Sequence, residues 1–205
     1  MAIRSLLATA LLLVPLAAGA AEPDALEQTN ALVAAFQKVK PDDGKLSKAD
    51  LAANAKAYAE LDALLDAEHF TSVAIKPRAD KFSAEQMTTF KGKFWDIVQM
   101  IAYPNSGDFL REAKLTVGKP ERQGEIWSVS VQAVLASEDL ETEFEFQWSQ
   151  GPKGLRVVDV LFDGDSLVRD YQNQFARIVD KKGAAGLLEA LEEKRAELSK
   201  DKDAK

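Results

Sequence analysis

The 205-residue chain reads as an α+β protein: helices first, then an antiparallel sheet, then a closing pair of helices. Three observations predict this. Up to about Tyr103 the apolar residues recur every three or four positions, the period of a helix with one buried face. From Leu115 to Phe162 they alternate with polar residues, the period of strands with one dry and one wet face. After Asp163-Gly164-Asp165-Ser166 the helical period returns.

Taken in order, the chain opens with Arg4, an apolar run from Leu6 to Leu16, and Ala18-Gly19-Ala20. A positive charge, a short apolar run and a small-residue site make a secretory signal peptide over residues 1–20. The run is too short to span a bilayer, which takes about 20 residues. Pro23 to Lys40 is expected as a first helix and Pro41-Asp42-Asp43-Gly44 as a turn. Ser47 is placed to cap a long Ala-rich helix from Lys48 to about Asp66, with Leu51, Tyr58, Leu61, Leu64 and Leu65 on its buried stripe. Phe70 to Pro77 is apolar but broken by Pro77. Ser83 and Gln86 form a capping box for the next helix. That helix carries Met87, Phe90, Phe94, Ile97, Val98 and Ile101 at helical spacing, and Tyr103-Pro104-Asn105 is expected to end it.

The sheet is expected to have about four strands. The first is Leu115 to Gly118. The second holds Trp127, Val129, Val131, Ala133 and Leu135, and the third Phe144, Phe146 and Trp148. The fourth, Leu155 to Phe162, is Val-rich and reads as well buried. Gly164 then supplies a turn, and Asp and Ser are helix-capping residues. Leu167, Tyr171, Phe175 and Ile178 fall on one helical stripe. Lys181-Lys182 suits a helix end and Gly183 the left-handed residue after it. A last amphipathic helix carries Leu187, Leu188, Leu191 and Leu198, and the charged tail covers 199–205.

Composition narrows the function. The formal charge of −7 becomes −8 once Arg4 leaves with the signal peptide. That acidity argues against nucleic acid and against stable docking on anionic lipid. No cysteine is present, so the exported chain relies on burial for stability and carries no lipid-modified N-terminus. His69 is the only histidine, which leaves no zinc or copper set. There is no Ser-His-Asp set, no G-x-S-x-G and no phosphate loop. Asp163-Gly164-Asp165 is no calcium loop, because Leu167 and Arg169 stand at the later ligand positions.

One stretch carries a resemblance. Val157-Val158-Asp159-Val160, Asp163-Gly164-x-Ser166-Leu167, Tyr171-x-x-x-Phe175, Gly183 and Leu187-Leu188 resemble the C-terminal signature of the MlaC family of periplasmic phospholipid-binding proteins. Weaker likeness reaches back to about Leu26. The chain departs from the pattern in three places: Leu155 stands where the family tends to be aromatic, Asp165 where it is commonly apolar, and Ile75-Lys76-Pro77-Arg78 where the segment before the capping-box helix often has a Gly and an aromatic. The resemblance implies a cone-shaped, NTF2-like curved antiparallel sheet. It also implies a single lipid-binding domain over 21–198, periplasmic and monomeric. A phospholipid is the implied ligand, and the departures leave a hopanoid or other polycyclic lipid, or no lipid, as alternatives. Implied transient partners are an outer-membrane lipoprotein complex and an inner-membrane ABC transporter with a ring-shaped subunit. No cofactor or catalytic residue comes with it.

The expected lining of the lipid cavity is Phe94 and Val98 from the helix at Met87, Phe146, Trp148, Val160 and Phe162 from the last two strands, and Leu167, Val168, Tyr171 and Phe175 from the helix that follows. The residues themselves leave open whether such side chains line a cavity or fill a core. An enzymatic reading would need an Asp base with a Tyr donor, for which Asp159, Tyr103 and Tyr171 are the candidates. A third reading is an interaction module with a filled core. Energy favours the carrier: two tails of roughly 16 carbons represent on the order of 25 kcal/mol of hydrophobic transfer, so a lipid crosses water only with its tails hidden.

Overall fold

The computed structural model describes residues 24–41 and 46–203; the segment 1–20 expected as a signal peptide and the expected turn at Asp42-Asp43-Gly44 lie outside them. Helix α1 spans Ala25–Lys38, capped by the Asp24 carboxylate, which accepts from the Glu27 amide at 2.8 Å. Helix α2 spans Lys48–Leu64 and starts on a reciprocal capping box between Ser47 and Asp50. Helix α3 spans Ala67–Ile75 and runs into a 3₁₀ turn, Lys76–Lys81, with Pro77 in its first positions, where its missing N–H costs nothing. Helix α4 spans Ala84–Glu112, with the expected Ser83–Gln86 box at its start.

The strands are β1 (Lys114–Val117), β2 (Glu121–Gln123), β3 (Ile126–Leu135), β4 (Leu140–Gly151), β5 (Gly154–Phe162) and β6 (Asp165–Ser166). All pair antiparallel in the order β1-β3-β4-β5-β6, with β2 also on β3. This is the expected α+β order. The two strands beyond the expected four are three and two residues long, too short to show a period. Helix α5, Leu167–Asp203, turns sharply at Gly183, whose φ of 71° is open to glycine without strain. The two helices expected there are its two arms.

One expectation is corrected. Helix α4 does not end at Tyr103-Pro104; it runs through Pro104 to Glu112. Proline inside a helix removes one backbone bond and costs about 3 kcal/mol. Tertiary contacts on both sides of Pro104 offset that. Tyr103 is fully buried and donates to the Asp62 carboxylate at 2.6 Å. The Gln37 amide donates to the Leu110 carbonyl at 2.8 Å, and Arg111 donates to the Val39 carbonyl. Gly107 lets α4 lie directly on α1: a β-carbon there would stand 2.9 Å from the Phe36 carbonyl oxygen.

Two apolar clusters result. The first joins α1, α2, the C-terminal half of α4 and one face of the sheet, including Val129, Val131, Phe144, Phe146 and Trp148. The second joins the N-terminal half of α4 to α3 and α5, through Phe90, Phe94, Ile97, Phe175 and Leu187.

Candidate functional site

The inward face of the sheet is set by alternation. On β4, Thr142, Phe144, Phe146 and Trp148 point one way; across the ladder, Phe144 pairs with Phe162 and Phe146 with Val160. At one end of this face Trp148 closes the gap. It is completely buried, and its indole N–H donates to the Thr29 hydroxyl of α1 at 3.0 Å. At the other end a cavity of about 400 Å³ remains. That is the size range of ligand pockets, roughly 300–1,000 Å³.

Three walls enclose it. The sheet supplies Thr142, Phe144, Phe146, Val160 and Phe162. Helix α4 supplies Trp95, Val98, Ala102, Asn105, Ser106 and Phe109, one stripe at three- and four-residue spacing. Phe36, Leu65, Phe70, Tyr103 and Leu110 make the buried floor, and Leu167 stands at the start of α5. Phe162, half exposed at 49%, and exposed Asn105 mark the mouth. No ionisable acid or base lines the cavity apart from the Tyr103 phenol. Burial first, and then the Asp62 carboxylate, push that phenol far above its ordinary range, so it stays a neutral donor.

The floor is braced by aromatic contacts. Tyr103 meets Phe36 edge-on at 6.0 Å and Tyr58 edge-on at 4.9 Å, and Phe144 meets Phe146 edge-on at 5.4 Å. Gln99 donates to both oxygens of the Asp62 carboxylate at 2.8 and 3.0 Å, which holds the partner of Tyr103 in place.

The ten residues expected to line a cavity divide evenly. Val98, Phe146, Val160, Phe162 and Leu167 line this one. The other five lie elsewhere. Trp148 is on the correct face but fills its closed end. Phe94, Tyr171 and Phe175 pack on one another in the second cluster, with ring centres 4.8 to 5.7 Å apart. Val168 faces a separate cavity of about 280 Å³ on the far side of β5. Ala102, Asn105, Ser106 and Phe109 were not anticipated, and Trp95, expected only to widen the stripe of Phe94 and Ile101, was not among the ten; together they form a second helical stripe, one residue ahead of Phe94 and Ile101.

The second cavity is polar, with His69, Gln147, Asp159, Ser166, Arg169 and Gln172 among its walls. Its carboxylate is already engaged. Asp159 accepts from the Val160 amide at 2.8 Å, the Val168 amide at 3.1 Å and the Ser166 hydroxyl; Ser166 in turn accepts from the Arg169 amide at 3.0 Å. Asp159 and Ser166 therefore fix the start of α5. The three residues an Asp/Tyr enzyme would need stand apart: Asp159 in the second cavity, Tyr103 in the floor of the first, Tyr171 in the second core. Among the described residues no group of acids or histidines is arranged to hold a metal ion, and no helix is long and apolar enough to cross a membrane.

A family model described as MlaC protein matches residues 29–193. No curated protein matches the chain. Among solved structures, the phospholipid-binding protein from Ralstonia solanacearum, determined in complex with a phospholipid, is similar to it. The TM-score is 0.65 at 18% identity, over 85% of this chain and 96% of that one. At that identity the likeness is one of fold. The family match extends from α1 to the second arm of α5, and by it the chain belongs to the MlaC protein family.

Proposed function

We propose that the protein is a periplasmic lipid carrier. It holds the acyl part of a phospholipid in the apolar cavity between the sheet and α4 and shuttles it between the outer and inner membranes. The observation that carries this reading is the cavity itself: about 400 Å³, walled by aliphatic and aromatic side chains, and open at one end. Membership of the MlaC family supports it, as does a fold shared with a protein described as phospholipid-binding. The physics agrees. About a dozen buried methylenes contribute roughly 10 kcal/mol, enough to hold a tail away from water without any catalytic group.

The mature domain is read as residues 21–198, acting as a monomer after removal of the signal peptide. It would exchange cargo with an outer-membrane lipoprotein complex and with the ring-shaped subunit of an inner-membrane ABC transporter. The role is binding and transport rather than catalysis.

Lipid extraction and mass spectrometry of the mature protein, purified from periplasm without detergent, test the proposal. Near-stoichiometric lipid is expected. Leu167→Glu, which puts a charge into the cavity wall, is expected to abolish that lipid while leaving the circular dichroism unchanged. A wild-type protein that carries no lipid and takes up none would end the carrier reading.

A further inference from the structure

Two neighbouring residues at the start of α5 face two different cavities. Leu167 lines the apolar cavity, and Val168 lines the polar cavity of about 280 Å³ on the far side of β5. The first turn of α5, Leu167 to Asp170, is therefore a partition with open volume on each side. A wall with a void behind it lacks part of the packing that holds other walls, so its hydrogen bonds carry more of the load.

Those bonds converge on one carboxylate. Asp159 accepts from the Val168 amide at 3.1 Å and from the Ser166 hydroxyl, and Ser166 accepts from the Arg169 amide at 3.0 Å. Bonds to an ionised acceptor are the stronger kind, and this one also lies at the positive end of α5. The backbone adds little. Strand β6 is an edge strand of two residues, paired only with Leu161 and Phe162. The next anchor is more than a turn further along α5, where the Gln172 side chain donates to the Val73 carbonyl of α3 at 2.7 Å. Asp159 borders the polar cavity and does not line the apolar one, so any effect it has on a bound lipid passes through Leu167.

From this we infer that Asp159 is a positioning residue of the lipid cavity: through the Val168 amide and the Ser166 hydroxyl it holds Leu167 in the wall, and so sets how slowly a bound lipid leaves. The inference rests on the lipid-carrier reading and assigns a residue to its release step. With the carboxylate gone, the first turn of α5 has the polar cavity to move into. The wall then opens beside Leu167, while the sheet and α4 stay in place.

The test is a release assay. The mature protein, loaded with a pyrene-labelled phosphatidylcholine, is mixed with excess phosphatidylcholine vesicles, and the rate of lipid transfer is read. Asp159→Ala is expected to release the probe about tenfold faster than the wild type, as loss of a charge-assisted bond predicts, with its circular dichroism unchanged. Action through Leu167 makes the two positions interdependent. In a Leu167→Ala background, itself fast, Asp159→Ala is expected to add less than about twofold. A merely structural role would speed both backgrounds alike. Ser166→Ala is expected to release fast, and Ser166→Thr, which keeps the hydroxyl, to restore slow release. Unchanged release in Asp159→Ala, or equal acceleration in the two backgrounds, overturns the inference and leaves the carrier intact. A wild-type protein that takes up none of the probe overturns the carrier reading, and the inference with it. Should Asp159→Ala fail to fold or Leu167→Ala fail to load, Asp159→Asn and Leu167→Val carry the same comparison.

Discussion

Helix α4 divides two cores that have opposite character. Toward α5 it presents Phe90, Phe94 and Ile97, which join Phe175 and Leu187 in one continuous buried cluster. Toward the sheet, one residue further round the helix, it presents Val98, Ala102 and Ser106, and 400 Å³ stays open. Both faces are apolar, and both are covered by other elements. Between Trp95 and Phe109 the face toward the sheet carries the small Ala102 and Ser106, where the solid face carries Phe90, Phe94 and Ile97. A hollow in a protein interior is costly, because its lining lacks neighbours on one side. It persists here because the sheet rests at its closed end on Trp148 and α1, and α4 rests on α1 at Gly107, so the walls cannot collapse inward.

The comparison can be broken most forcefully on its solid side. Phe94→Ala is expected to cost about 3–5 kcal/mol in chemical denaturation, the usual penalty for a large-to-small change in a core that cannot relax. A loss below about 1 kcal/mol would mean that the second core is not solid. Gly107→Ala drives a methyl into the α1 backbone and is expected to cost about 1–3 kcal/mol, since the conflict is with a carbonyl and not with a flexible side chain. Val98→Ala, one turn from Phe94 but facing the hollow, is expected to cost only about 1 kcal/mol, because part of its surface already meets no atoms. Equal penalties for Val98→Ala and Phe94→Ala in melts of matched samples would erase the contrast.

The smallest effect concerns the strap over the solid core. Arg78 of the 3₁₀ turn grips Asp180 of α5 with two hydrogen bonds of 2.5 and 2.7 Å. The hydrogen bond from Arg78 holds the Asp180 carboxyl below its ordinary value of 3.8. A lowered carboxyl contributes stability above its unfolded value, and that contribution is lost as pH falls through its folded value. The advantage of the wild type over Asp180→Asn is therefore expected above about pH 4 and should vanish in more acid solution. It should also shrink in high salt, since both groups meet solvent. A difference in melting temperature that does not change with pH would assign Asp180 another role.

Much of this architecture was legible locally. The capping box at Ser83, the alternation of Phe144, Phe146 and Trp148, the turn at Gly164 and the break at Gly183 all depend on residues a few positions apart. The extent of the cavity was not. Whether Phe94 or Val98 faces the hollow depends on where α5 docks, some eighty residues later. Trp148 shares a strand face with Phe146, but the group that closes its end of the sheet is Thr29, 119 positions away. Pro104 read as a stop because the bonds that carry α4 past it come from Asp62 and Gln37, which local sequence does not reveal. The second stripe on α4 was present in the sequence. It was obscured by the early end assigned to the helix, because Asn105, Ser106 and Phe109 fall beyond that point.

The three tryptophans sit in three different settings, and this gives the protein a built-in optical gauge. Trp148 is sealed under α1, and Trp127 lies beneath the Arg122 guanidinium at 5.2 Å. Of the three, only Trp95 lines the cavity, its ring 6.1 Å from Phe70. An arriving acyl chain would dry the indole of Trp95 and leave the other two as they were. The emission of the unlabelled protein should thus shift to the blue in proportion to the filled fraction, and Trp95→Phe should silence that shift without emptying the cavity.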